Sequence, residues 1–414
     1  MLYCGQSFTQ QRPMQYDLII VGGGPAGMMA GHLFARAGVS VIVLEKHGDF
    51  LRDFRGDTVH PSTMEVLDQL GMLERFLTRP HDRIEQARVR VAGRFLTIGD
   101  LRFLHTPAPY IAMMPQWDFL DFLREESQRL ANFALRMNAE VTELLDTDGR
   151  ISGVRLADGN TLEAGRLVLC ADGRSSLARR ILPLRNLGAP MDVFWFRVPR
   201  KAGDQEGLRG IFDPGRILVM IGRHDYWQCA YLFPKGGADA VRARGLAALR
   251  DDLEEAAPDL APLDAALTDW GQLHLLTVAL DRLAHWHRPG VLAIGDAAHA
   301  MSPIGGIGIN LAIQDAVAAA NILAQPLAEG RGVDDLLATV QRRREWPTRL
   351  IQAGQKFAQD NVIGVLLARR QPLTQPPLAL RMLDRFPPLR RIPGRIIGLG
   401  VRRERVASPI HGAG

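Results

Sequence analysis

The chain has little cysteine. Its three thiols, Cys4, Cys170 and Cys229, are scattered, which argues against a disulfide framework and against the paired spacing of a metal site. Lysine is as scarce: Lys46, Lys201, Lys235 and Lys356 stand against a large excess of arginine. No apolar run has the length expected of a bilayer span. Residues 1–15 hold no apolar core of the kind that marks a signal peptide, so they read as a short leader, and a cytoplasmic location is the default expectation. The net charge of +5 is not arranged as a basic stripe interleaved with aromatics, and no nucleic-acid motif accompanies it, so no nucleic-acid partner is expected. A solvated basic surface accounts for that charge, and it suits anionic substrates or a nucleotide.

The 414 residues, 47% of them hydrophobic, suffice for two or three globular domains with sizeable cores. They are organised around DLIIVGGGPAGM, residues 17–28. Leu18 to Val21 reads as a buried parallel strand. Gly22, Gly24 and Gly27 follow in G-x-G-x-x-G register, and an alanine-rich helical segment runs to Gly38. Val39 to Leu44 is a second strand, closed by Glu45. In this pattern Gly22 permits a tight turn, Gly24 lets backbone approach a pyrophosphate, and Gly27 lets the helix pack close. The helix N-terminus then offers free N–H groups and the positive end of a dipole to phosphates. Glu45, about twenty residues on, is placed to bind a ribose diol and would repel a 2′-phosphate. An unphosphorylated adenosine, as in FAD or NAD, is the expected ligand.

Two further strand–turn combinations share this logic. Arg166 to Cys170 is a short buried strand running into Ala171-Asp172-Gly173, and Val291 to Ile294 runs into Gly295-Asp296. Pro303 and a glycine loop, Gly305 to Asn310, then lead into an alanine-rich helix from about Asn310 to Gln325, a second helix N-terminus suited to negative charge. Between Glu45 and the first of these, Ser62 with Glu65 suggests a capping box for a helix starting at Thr63. Ile84 to Ile98 suggests a hairpin turning at Gly93, and Gln116 stands at the start of an amphipathic helix from Phe119. Arg55 lies on the loop leaving the nucleotide strand, where a surface salt bridge is the alternative reading.

From about Ala189 to Leu280 the pattern becomes mainly antiparallel sheet, with Trp195, Tyr226, Trp227 and Tyr231 in its strands. An aromatic sheet face would line an apolar pocket, although most of these rings are expected to be ordinary core. The tail from Val362 is basic, apolar and rich in proline. Short helices there would pack on the sheet or touch an anionic membrane, and the prolines favour packing by preventing one long face.

The three motifs in this order resemble the single-component FAD-dependent aromatic hydroxylases, the para-hydroxybenzoate hydroxylase-like family. The resemblance implies an α/β fold of α+β character: a Rossmann-like FAD-binding domain with a parallel sheet (16–80, 110–185 and 285–330), interrupted by an antiparallel substrate-binding sheet domain (81–109 and 186–284), with a C-terminal helical region (331–414). It implies that Gly22, Gly24, Ala26 and Gly27 cradle the pyrophosphate and that Glu45, with Lys46 beside it, holds the adenosine ribose. Arg55, Gln116 and Val141 would contact FAD along its length, Asp172 and Gly173 would serve FAD and the pyridine nucleotide, and Gly295 and Asp296 would hold the ribityl chain. Pro303, Gly305, Gly308 and Ile309 would lie against the isoalloxazine, with the Pro303 backbone beside the reacting oxygen. His299 would be structural. The implied reaction uses NADH or NADPH and dioxygen, and passes one oxygen atom from a flavin C4a-hydroperoxide to an apolar, aromatic or polycyclic small molecule. Epoxidation, Baeyer–Villiger insertion, quinone- or isoprenoid-directed hydroxylation or reduction, and a non-catalytic flavoprotein are the alternatives. Halogenation is disfavoured by the scarcity of lysine.

Overall fold

The computed structural model describes residues 16–51, 58–201, 207–223, 225–260, 262–369, 371 and 373–411. The fold is α/β with two large sheets. In the first, Tyr16–Val21 lies between Val41–Leu44 and Thr161–Cys170, all parallel. Phe133–Arg136 extends one side and Val291–Ala293 the other, also in parallel. These strands are nearly continuous in Val, Ile and Leu because helices cover the sheet: Leu18, Ile19 and Ile20 are all fully buried. Helix Pro25–Arg36 leaves the glycine turn and packs against the long helix Gly308–Ala328. Cys170 ends its strand fully buried, and burial pushes its thiol well above the usual range. A hairpin, Val141–Thr147 and Arg150–Leu156, continues antiparallel from Thr161–Cys170, turning at Asp148 (φ 52°) and Gly149 (φ 82°).

The second sheet has seven strands in the order His274–Leu276, Met191–Pro199, Tyr226–Pro234, Arg216–Gly222, Leu208–Asp213, Gln86–Val91, Arg94–Asp100. Every pairing is antiparallel except that of Leu208–Asp213 with Gln86–Val91. Strand alternation sorts its side chains sharply. Phe194, Phe196, Trp227, Tyr231 and Phe233 face helix Leu246–Ala256, while Val193, Val219, Ala230 and Leu232 face the other way. The aromatic face is thus the core beneath the helices, and the opposite, mostly aliphatic face is the one left for a pocket. Of the four clustered rings only Trp195 lines the cavity.

Three local expectations give way to the structure. The helix expected at Thr63 spans Pro61–Gln69 with His60 as N-cap and no side-chain cap. Pro61 at the first helical position sets the start, which leaves Glu65 to pair with Arg403. The apolar segment Ile304–Ala328 is long and apolar enough to cross a membrane by length and composition, with a mean hydropathy of 1.5, yet 83% of its apolar window is buried in the fold. It is a core helix. The helix expected to end near Gln325 continues through Pro326 to Ala328.

In the tail, helix Asp334–Ala358 runs into a wide π turn, Gln359–Ile363. Leu378–Arg385 and Arg391–Leu399 pack on the edge strand Arg94–Asp100, so closely that a Cβ on Gly394 would lie 1.9 Å from the Asp100 carbonyl. Leu378 and Ile392 stay exposed. The chain then returns to the first sheet, where the His411 amide donates to the Arg36 carbonyl at 2.8 Å.

Candidate active site

The glycine turn has the shape of a pyrophosphate cradle. Gly22 adopts φ +100°, and a Cβ there would lie 2.6 Å from the Ala171 carbonyl. A Cβ on Gly27 would lie 1.9 Å from the Gly22 carbonyl, so this glycine sets how closely helix and turn approach. Gly24 is different: a Cβ there meets nothing within 4 Å. Gly24 is the N-cap and Pro25 the first residue of the helix, whose leading N–H groups have no intrahelical acceptor. The open space above Gly24 is where a bound anion would meet them. Glu45, 6% exposed, accepts from the Gly23 amide at 2.9 Å and from the His47 amide at 3.1 Å. It therefore clasps the turn to the end of the second strand.

That turn opens into one end of a cavity of about 1600 Å³. The same cavity is lined by Gln116 and Val141, by Asp172, Gly173 and Asp296, by Pro303–Gly306 and Gly308, and by the aliphatic face of the seven-stranded sheet. Asp172 accepts from the Leu177 amide at 3.0 Å through one oxygen. Its other oxygen, Oδ1, is buried with no partner, and burial raises the carboxyl above its ordinary value. An orphaned buried acceptor is the observation that best fits a bound group carrying N–H or O–H donors. Asp296 receives Arg174 Nε at 3.3 Å, and Arg179 donates to its backbone carbonyl at 2.7 Å.

The peptide before Asp296 is held from below. The Gly295 amide donates to Asp315 Oδ2 at 3.0 Å, and Gly295 takes φ +59°. Asp315 is wholly buried on helix Gly308–Ala328. It also meets His299 Nε2 at 2.6 Å and Arg344 Nε at 2.8 Å. Burial pushes its carboxyl up, but the His299 and Arg344 contacts outweigh that and hold it below the usual range. The loop that follows is fastened at each end. Gln355 accepts from the Ser302 amide at 3.2 Å and donates to the Ser302 and Ile304 carbonyls at 3.1 and 3.0 Å. Gln359 donates to Ser302 Oγ at 2.7 Å, and Thr58 Oγ1 to the Gly306 carbonyl at 2.8 Å. Gly305 and Gly306 both adopt positive φ, and a Cβ on Gly306 would lie 2.5 Å from Thr58 Oγ1.

Fourteen of the sequence-predicted residues line this one cavity: Gly22, Gly24, Ala26, Glu45, Lys46, Gln116, Val141, Asp172, Gly173, Asp296, Pro303, Gly305, Gly308 and Ile309. Gly27 and Gly295 lie behind its wall, where they pack and orient the residues that do line it. Arg55 lies outside the described residues. Sequence reasoning passed over Arg174, Asp315, Gln355 and Gln359. Asp315 left a readable signal, as the lone charged residue in a 21-residue apolar helix. The two glutamines left only their helical spacing.

The family model described as FAD binding domain matches residues 15–353. The chain is 33% identical over 337 residues to 6-methylpretetramide 4-monooxygenase of Streptomyces rimosus, covering 79% of this chain and 80% of that protein. It is 32% identical over 316 residues to the rifampicin monooxygenase of Streptomyces venezuelae, covering 73% of this chain and 62% of that one. In fold it is similar to p-nitrophenol 4-monooxygenase of Pseudomonas putida, with a TM-score of 0.77 at 22% identity over 94% of this chain and 100% of that one. PqsL of Pseudomonas aeruginosa gives a TM-score of 0.73 at 24% identity over 86% of this chain and 98% of that one. With a phosphate-ready glycine turn at one end of the cavity and this match across most of its length, the chain belongs to the FAD binding domain family, among the para-hydroxybenzoate hydroxylase-like flavoproteins.

Proposed function

We propose that this chain is an NAD(P)H-dependent FAD monooxygenase that adds one oxygen atom from dioxygen to an apolar, aromatic or polycyclic small molecule. The observation that carries the reading is the single cavity lined together by the glycine turn, the Pro303–Gly308 loop and the aliphatic sheet face. FAD, when bound, supplies acceptance of hydride from the nicotinamide and activation of dioxygen. The chain's own residues bind, orient and exclude water. Gly22, Gly24 and Ala26 cradle the pyrophosphate, with Gly27 packing behind them. Glu45 and Lys46 take the adenosine ribose, Gln116 and Val141 the middle of the cofactor, and Asp172 and Asp296 its polyol chain. The Pro303–Ile309 loop, with a helix N-terminus behind it, favours negative charge in front of it. The aliphatic sheet face keeps bulk water from the reacting oxygen.

The test is NAD(P)H consumption by the FAD-loaded protein over a panel of phenols, polycyclic aromatics and quinone precursors, with product masses recorded. A product heavier by one oxygen atom supports the reading. A protein that holds flavin and never oxidises NADH or NADPH with any of them opposes it. For the site itself, Asp296→Ala removes an acceptor, including that of Arg174 Nε, and purified protein is expected to retain much less flavin than wild type. Full flavin occupancy in that variant would remove Asp296 from the assignment.

A further inference from the structure

On strands Met191–Pro199, Leu208–Asp213, Arg216–Gly222 and Tyr226–Pro234, the residues lining the cavity are hydrocarbon or glycine except for the indole of Trp195 and the amide of Gln228. Gln228 alternates into the cavity with Ala230 and Leu232, while Trp227, Cys229 and Tyr231 point into the helix-covered core. It lies opposite Ile221 on one neighbouring strand. The side chain is 2% exposed.

Its oxygen is taken. Gln228 Oε1 accepts from Arg223 Nε at 3.1 Å and from Arg223 Nη2 at 2.9 Å. Arg223 is itself 4% exposed. A guanidinium has donors only, so the amide must turn its oxygen to Arg223 and its NH2 the other way. Among the described residues Nε2 makes no hydrogen bond, and the side chain that carries it forms part of the cavity wall. A fixed donor on an otherwise apolar wall is costly unless a ligand satisfies it.

We infer that Gln228 is a substrate-binding residue. It donates through Nε2 to an oxygen acceptor, a ring ketone or a phenolate oxygen, on an otherwise apolar polycyclic substrate. Arg223 is a positioning residue: it fixes the amide's orientation and, as a cation behind it, strengthens the donor toward an anionic oxygen. A substrate that lacks the acceptor leaves the amide unsatisfied, which is how such a site discriminates. The inference rests on the monooxygenase reading and assigns the polar contact that reading leaves open.

The test uses FAD-loaded full-length protein and two planar probes that differ by one group, fluorenone with a ring ketone and fluorene with a methylene. Binding is read from the shift in the flavin visible spectrum. Wild type is expected to bind the ketone about tenfold more tightly. Gln228→Leu should abolish that preference by weakening the ketone while leaving the hydrocarbon as tight or tighter. The paired variant Arg223→Leu/Gln228→Leu should do the same, without leaving a buried guanidinium short of an acceptor should the single variant misfold. Equal binding of the two probes by wild type, no spectral shift with either, or a preference that survives in the paired variant would each overturn the assignment. NAD(P)H oxidation by wild type is followed separately. Its loss would sink the monooxygenase reading, whereas normal oxidation with no ketone preference sinks only the role of Gln228.

Discussion

Gly22, Gly24 and Gly27 share one motif and do three separable things. Side chains on Gly22 or Gly27 would strike backbone carbonyls, whereas one on Gly24 enters open space. Gly24→Val is therefore expected to fold with a near-normal melting temperature and to purify without flavin. Gly27→Val should fail to accumulate as folded protein. A Gly24→Val protein that stays yellow would show that the space above the turn is not the phosphate site. The tight turn at Gly22 and the close packing at Gly27 were legible in the sequence because each depends on a residue's own backbone and its immediate neighbours. Gln228 was not legible. It sits in an aromatic strand, and only the sheet register shows that its face is the aliphatic one. Asp315 was half legible, a lone charge in an apolar helix whose partners, His299 and Arg344, lie on other elements.

Helix Asp334–Ala358 carries Gln352 and Gln355, and Gln359 follows at the start of the π turn, a spacing that lays all three along one side. Gln352 donates to the Asp281 and Ala300 carbonyls at 2.7 and 3.2 Å, Gln355 holds the backbone of Ser302 and Ile304, and Gln359 the Ser302 hydroxyl. A helix far along the chain thus sets the loop on which Pro303 stands. Gln355→Leu strands one buried amide and two carbonyls, at about 1–3 kcal/mol for each group left unsatisfied. It should lower the melting temperature and, on the proposed monooxygenase reading, send a larger share of NAD(P)H oxidation to hydrogen peroxide than in wild type, measured by peroxide assay during turnover. Unchanged coupling in a destabilised variant would restrict Gln355 to stability. The glutamine stripe shows why elements are read more easily than their purposes. Helical periodicity announces the helix, but glutamine on its buried side means nothing until the loop above it is placed. The cap at Ser62 failed for a local reason, since Pro61 already fixes the helix start.

Across the whole molecule, acid sensitivity should come from buried histidines. His32 and His60 are 6% and 0% exposed, and burial lowers each from 6.5 to about 4. His60 Nδ1 lies 2.8 Å from the Ile397 carbonyl, and His32 Nδ1 lies 3.2 Å from Ser127 Oγ. Both are neutral in the fold, while the unfolded chain takes up their protons below about 6.5. Their contribution is fully present above that pH and is lost as pH falls towards 4, at up to about 1.4 kcal/mol per pH unit for each histidine. Urea unfolding at pH 7 and pH 5 should show this loss, and His60→Gln should flatten the slope. A slope unchanged in that variant would clear His60 of any part in it. The two-sheet architecture and the order of the motifs were readable from strand periods and glycine turns. Which sheet face met the cavity was not, because that is decided by how the sheet packs on helices far along the sequence.

The cavity is lined both by residues between Val21 and His47 and by residues between Asp296 and Ala312, while residue 411 is hydrogen-bonded back to Arg36 on the first helix. The two parts of the site are separated in the chain by every strand of the seven-stranded sheet. During translation the glycine turn leaves the ribosome early and must wait for strand Val291–Ala293 and the Pro303 loop before anything can be enclosed. On the proposed reading, enclosure of the cofactor must await the Pro303 loop, because a chain that stopped within the seven-stranded sheet would carry the glycine turn without Asp296 or that loop.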